Sequence, residues 1–306
     1  GLDELHMYDL YTPMTENSGE HFSFEDAKKT VLEGLAPMGE EYLSHLKDGF
    51  EHGWIDVYEN QGKRSGAYSW GAYGTHPYVL LNYQGTLNDV FTLAHEMGHA
   101  LHSWYSDETQ PYIYAGYRIF VAEVASTCNE ALLIHHLLKK AKDPKNKAYL
   151  INYFLEQFRT TLYRQTMFAE FEQKAHEMAA AGESMTSQSL CSIYKKLNED
   201  YFGPDTVTDP EIQYEWERIP HFYTPFYVYQ YATGFSAAIA ISKKIFNGEP
   251  GILEGYRKFL SGGCCDTPIE LLKLAGVDMS HTGPVEEALK FFEELLNEFE
   301  ELVHRF

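Results

Sequence analysis

In Thr92-Leu-Ala-His-Glu-Met-Gly-His-Ala-Leu-His102, two histidines stand four residues apart with a glutamate beside the first. The run around them is apolar, and one local structure suits it. In an α-helix residues four apart project from the same face, so His95 and His99 can reach a single ion at about 2.0–2.1 Å. Glu96 is turned about 100° from His95, which carries it past the ion toward a water molecule rather than into coordination. This is the H-E-x-x-H pattern. In a chain with 14 histidines the same letters can arise by chance in a helix of satisfied core residues, so the neighbours decide. Gly98, with no Cβ, permits close approach of another element, and a Gly-rich, strand-like segment precedes the helix.

A catalytic zinc takes a third protein ligand and leaves one position to water. His102 lies seven residues from His95, about 10 Å along a helix axis, too far for both rings to meet one ion. A supporting or packing role suits His102 better. The longer pattern H-E-x-x-H-x-x-G-x-x-H is absent. Glu123 is the better candidate. In Ile119-Phe-Val-Ala-Glu-Val-Ala-Ser-Thr-Cys-Asn-Glu130 it is a lone carboxylate in an apolar run. An unpaired charge is costly to bury there, and a divalent cation would stabilise it; the alternative is a side chain turned to solvent. Glu130, two turns further on the same face, is placed to accept a hydrogen bond from a ligating imidazole and so fix its tautomer. Two imidazoles and one carboxylate favour zinc, one ion per chain.

A second dense region runs from Arg218 to Gly234. His221 lies between Pro220 and Pro225, which restrict its turn, and Tyr223, Tyr227, Tyr229 and Tyr231 follow. Phenol and imidazole donors suit stabilisation of an oxyanion. With 23 tyrosines in the chain, simple ring packing is the alternative for each. The β-favouring run Pro77–Tyr83 is a candidate for an unpaired edge that an extended peptide could join, and whether that edge is open is left to the fold.

The rest reads as helix. Ser23 caps a pattern running to about Lys47, interrupted near Pro37, and further helices are expected over 117–140, 146–181, 187–201, 228–246, 251–260, 269–274 and 284–304. The fold class is therefore mainly α, a multi-helix domain over residues 1–306 with a small β element before the H-E-x-x-H helix. Asp and Glu number 45 against 24 Lys and Arg, a formal charge of −21. Such a chain repels phosphate backbones, so no nucleic-acid partner is expected. No stretch reaches the roughly 18–20 apolar residues of a membrane span. The start, Gly1-Leu-Asp-Glu-Leu-His, lacks the basic and apolar regions of a signal peptide. Cys128, Cys191, Cys264 and Cys265 form no C-x-x-C pair, which points to reduced thiols and a cytoplasmic setting.

Several segments together resemble the oligoendopeptidase F family, in the thimet-oligopeptidase group of zinc metallopeptidases. They are Lys63-Arg-Ser-Gly-Ala-Tyr-Ser, His76-Pro-Tyr-Val-Leu-Leu-Asn-Tyr, His95-Glu-Met-Gly-His-Ala-Leu-His-Ser, Phe120-Val-Ala-Glu-Val-Ala-Ser-Thr and His221-Phe-Tyr through Tyr227-Val-Tyr-Gln-Tyr-Ala-Thr-Gly. The resemblance covers most of the chain and matches the family's catalytic half. It implies a helical zincin-type domain and a zinc ion held by His95, His99 and Glu123, with Glu96 as general base. It also implies that His221 and a tyrosine, Tyr229 first and Tyr227 second, stabilise the tetrahedral intermediate. Short oligopeptides are the implied substrates, cleaved internally. The family's N-terminal helical lobe precedes the segment matching Gly1-Leu-Asp-Glu-Leu-His and is expected as a partner of this chain. Two other expectations stand beside this one: an aminopeptidase, although no G-x-M-E-N segment is present, and a zinc-binding fragment with little activity without that lobe.

Overall fold

The computed structural model describes residues 3–15 and 19–305. Gly1 and Leu2, the first residues read above for a leader, lie outside the described residues. The chain groups into two compact units: Gly1–Glu16 with Glu156–Ala232, and Asn17–Leu155 with Thr233–Phe306.

The larger unit, beginning at Asn17, is built around two long helices. Thr86 starts the first, Leu87–Thr109, with a reciprocal cap: its hydroxyl accepts from the Asp89 N–H at 3.2 Å, and the Asp89 carboxylate accepts from the Thr86 N–H at 2.8 Å. Such a box satisfies two donors that a helix start leaves open. The second helix, Ile119–Lys140, ends on Lys139 and Lys140, whose charges suit a helix C-terminus. Val90, Leu93, Ala94, Met97, Ala100 and Leu101 of the first and Val121, Val124, Ala125, Cys128 and Leu132 of the second are buried, each no more than 1% exposed. Ser23 caps Phe24–Gly34 as expected, accepting from the Asp26 N–H at 3.1 Å. The anticipated break near Pro37 is a single turn, Ala36–Met38, before the helix Glu40–Glu51 resumes.

Ahead of the first long helix lies a three-stranded sheet. Tyr78–Leu80 is its middle strand, parallel to Ile55–Asp56 and antiparallel to Tyr68–Trp70. The candidate edge at Pro77–Tyr83 is therefore not open. Val79 and Leu81 are 3% and 2% exposed, and the run most able to bury side chains takes the central, doubly paired position. The edge next to it is Tyr68–Trp70, with Tyr68 and Trp70 exposed.

The other unit has the helices Arg164–Ala181 and Ser187–Phe202 and a two-residue parallel pairing of Leu5–His6 with Thr206–Val207. Met167, Phe168, Phe171, Tyr194, Leu197, Ile219 and Val228 form its apolar centre. The run expected over 146–181 is helical throughout but includes a wider turn at Phe158–Tyr163, and it closes on Gly182 at φ 74°. No helix among the described residues is long and apolar enough to cross a membrane.

Candidate metal centre

Gly98 lets the two long helices meet backbone to backbone. A methyl carbon at Gly98 would lie 2.8 Å from the Ala125 carbonyl oxygen, closer than packed atoms approach. Asn129 ties the same crossing. Its amide donates to the Ala94 carbonyl at 3.0 Å, and its carbonyl accepts from the Tyr42 hydroxyl at 2.9 Å. Ala94 directly precedes His95, so this bond holds the first turn of the motif against the second helix.

The crossing brings His95, His99 and Glu123 together. Glu123 Oε2 stands 3.3 Å from His95 Nε2 and 3.4 Å from His99 Nε2. Two ligands at zinc distances of about 2.05 Å, separated by a tetrahedral angle, lie about 3.3 Å apart. One donor atom from each of the three residues lies within 4.8 Å of the others, the one such group among the described residues. Glu130 takes the other side of the His95 ring, with Oε1 2.6 Å from Nδ1. That leaves Nε2 free of a proton and aimed at the common point whenever Nδ1 carries the hydrogen.

The carboxylates of the cluster favour positive charge between them. Burial alone would disfavour a charged His95, but Glu130 and Glu123 outweigh it and raise its pKa well above 6.5. Burial likewise pushes the Glu123 carboxyl up, and the hydrogen bonds from His95 and His99 more than reverse this, leaving it well below the usual carboxylate range. The donor set, two imidazoles and a carboxylate with two spacings of 3.3 and 3.4 Å, fits zinc.

Glu96 is 6% exposed, and its Oε2 has no hydrogen-bond partner. Burial raises its pKa, with Glu123 and Glu130 adding to the effect and His95 and His99 opposing it. An unpartnered buried carboxylate oxygen is rare in a folded chain, and this one belongs to the residue next to His95. His102 is 1% exposed and stacks on Tyr117 at 3.7 Å between ring centres, with Phe259 on its border. Two contributors escaped the sequence reading. The Ser126 hydroxyl donates to Glu123 Oε2 at 3.0 Å, and a methyl carbon at Gly234 would stand 3.6 Å from Glu123 Cβ. Ser126 was legible as the residue one turn beyond Glu123; nothing local marked Gly234.

In the other unit, His221 gathers two of the tyrosines. The Tyr227 ring lies 5.7 Å from it, nearly parallel, and the Tyr231 ring 6.0 Å away on edge. Their hydroxyls stand 3.4 Å apart. Tyr229, the first residue of its helix, is 40% exposed, and Tyr223 is 86% exposed.

A mainly helical fold with this cluster defines a class, and the sequence comparison gives it a family: residues 1–291 match peptidase family M3, and the chain belongs to it. Oligopeptidase PepF of Bacillus subtilis is 54% identical over 303 residues, which are 99% of this chain and 45% of that protein. An oligoendopeptidase F homolog of Lactococcus lactis is 50% identical over 305 residues, 100% of this chain and 51% of the relative. The crystal structure of oligoendopeptidase-F from Enterococcus faecium superposes with a TM-score of 0.78 at 41% identity, over 100% of this chain and 48% of the other. The chain thus spans about half the length of the relatives it matches.

Proposed function

We propose that the chain carries the zinc-dependent chemistry of an oligoendopeptidase, hydrolysing short peptides at internal bonds. One observation carries the reading: buried Glu96, whose Oε2 has no hydrogen-bond partner, adjoins His95 in a cluster where Glu123 Oε2 stands 3.3 and 3.4 Å from His95 and His99 Nε2, the spacing of two ligands on a tetrahedral zinc. His95, His99 and Glu123 would hold the ion. Zinc bound there would supply Lewis-acid chemistry, making water more acidic and polarising a carbonyl. Glu96 accepts the proton of the attacking water and delivers it to the departing amine nitrogen. Burial raises its pKa, the direction that suits a group which must both take and return a proton. Glu130 keeps the hydrogen on His95 Nδ1, and Ser126 fixes the Glu123 carboxylate. On the strength of the resemblance, His221 and a tyrosine, Tyr229 or Tyr227, donate to the carbonyl oxygen as it gains charge.

Peptides are the partners this reading requires, and the N-terminal half of the family is a further one. A cytoplasmic setting is supported by four unpaired cysteines.

The test combines metal analysis with cleavage of a quenched peptide. Glu96→Gln should keep one zinc per chain and lose about 10²–10⁴-fold in turnover. Parental turnover in that variant would refute the assignment. An N-acetylated peptide should be cleaved as well as its free form; strict need for a free amine would favour an aminopeptidase. A second reading draws on the half-length match to relatives: the chain binds zinc but turns over little peptide by itself. Recovery of turnover on adding a relative's N-terminal half would favour it.

A further inference from the structure

The segment carrying His221 and Tyr227 is gripped by one face of the helix Arg164–Ala181. Phe168 and Phe171 hold the Phe222 ring, at 5.5 and 5.3 Å between centres, next to His221. One turn beyond Phe168, Glu172 reaches Phe226, next to Tyr227: its Oε1 accepts the Phe226 backbone N–H at 2.7 Å. A turn further on, His176 lies against the Phe226 ring at 4.7 Å. Residues 168, 172 and 176 share a helical face by their spacing of four. Ile219 and Val228, at either side of the segment, are sunk in the same apolar centre.

Phe226 is the one non-glycine with a positive φ among the described residues, at 59°. A bulky side chain enters that region only when its surroundings compel it. Glu172 is 6% exposed and has no cationic partner among the described residues. A buried carboxylate in that position is unfavourable unless what it accepts matters. The Phe226 carbonyl is held too, by the Gln230 side-chain amide at 3.1 Å. Both backbone groups of the strained residue are thus tied down, immediately before the tyrosine that stacks on His221.

We propose that Glu172 is a positioning residue for the peptidase reaction: its bond to the Phe226 N–H fixes the left-handed turn that sets Tyr227 against His221. The inference rests on the reading above in which His221 and a neighbouring tyrosine stabilise the developing oxyanion. Glu172 itself touches no reacting atom. It acts through the loop.

Six variants of the zinc-loaded chain test it. Glu172→Ala should lower kcat by about 10²-fold, the scale of an ångström-level misplacement, with KM and zinc content unchanged. Glu172→Gln keeps an acceptor oxygen and should hold kcat within about tenfold of the parent. His221→Ala should lose kcat, and adding Glu172→Ala to it should cost little more, because residues acting as a unit are not additive. The same order should appear in affinity for a phosphinic peptide, whose tetrahedral centre mimics the oxyanion, so the comparison holds however slow turnover is. The Phe226 amide should exchange slowly in the parent and at least about tenfold faster in Glu172→Ala. If Glu172→Ala does not fold, Phe226→Gly and Phe226→Val decide: both lose the ring, but only glycine takes this φ freely, so valine should be the slower enzyme. Parental kcat and inhibitor affinity in Glu172→Ala, with both lost in His221→Ala, would overturn the inference and leave the functional reading standing. Full activity in His221→Ala would overturn both. Multiplying losses in the double variant, or equal rates for the two Phe226 variants, would reduce Glu172 to a structural group.

Discussion

A methyl carbon placed on Gly98 falls 2.6 Å from the Cα of Ser126. This contact is backbone against backbone, so no side chain can swing aside to relieve it. The proposed metal cluster depends on that closeness, because His95 and His99 flank Gly98 on one helix while Glu123 lies one turn before Ser126 on the other. Gly98→Ala should therefore separate the helices and cost about 1–3 kcal/mol or more in stability. Zinc affinity should fall with it. Calorimetric unfolding with and without zinc would show both, and an alanine variant with parental zinc affinity would contradict the account.

Glu130 gives a second expectation. Its carboxylate sits 2.6 Å from His95 Nδ1, on the side of the ring away from Glu123. Glu130→Gln retains a similar shape but weakens the hold on the imidazole tautomer. Zinc affinity should drop about 10–100-fold, the usual effect of losing such a partner. Competition with a chelator measures this directly. Glu123→Gln should be more severe, since it removes a ligand charge that the two imidazoles already favour. Equal zinc affinity in the two variants would argue against the roles given to them.

The helices that carry this centre were legible because each has local causes: the Thr86 and Ser23 caps, the apolar faces, Pro37, Gly182. His95, Glu96 and His99 follow from spacing along one helix, and Glu123 and Glu130 from carboxylates set in an apolar run. What the sequence hides is pairing across distance. Tyr78–Leu80 looked like an edge because nothing local shows that Ile55–Asp56 and Tyr68–Trp70 take both its sides. Gly234 is one of 23 glycines, and only the fold puts it against Glu123. The Glu172 bond to Phe226 spans 54 residues. Phe226, moreover, has none of the composition that normally announces a left-handed turn.

Asn129 supplies a stability test separate from the metal. It is fully buried and joins the Ala94 carbonyl to the Tyr42 hydroxyl. Asn129→Leu takes the acceptor from the buried Tyr42 hydroxyl and removes the second of two bonds to the Ala94 carbonyl, whose helical bond remains, at about 1–3 kcal/mol in all. Urea unfolding of the metal-free chain should show a loss in that range. A loss below about 0.5 kcal/mol, the level of an ordinary surface change, would mean that the bonds contribute nothing net.

His102 makes the stability of the fold depend on pH. The side chain is 1% exposed, its Nδ1 has no hydrogen-bond partner, and its ring stacks on Tyr117. Burial, with His99 adding to it, pushes its pKa down to about 3. An unfolded chain would titrate the same imidazole near 6.5. Between these values the unfolded state binds a proton that the folded state refuses, so stability falls as pH falls. The slope is about 1.4 kcal/mol per pH unit, or about 2 kcal/mol between pH 6.5 and 5. His102→Phe keeps a ring against Tyr117 and removes the proton site. Glu123 and the other acid-sensitive groups act in both chains, so their contribution cancels in the comparison. Urea midpoints at pH 7, 6 and 5, with a chelator present throughout, should therefore decline more steeply for the parent than for His102→Phe. Parallel decline would show that His102 accepts its proton in the folded chain as readily as in the unfolded one, which a buried imidazole stacked in this way should not do.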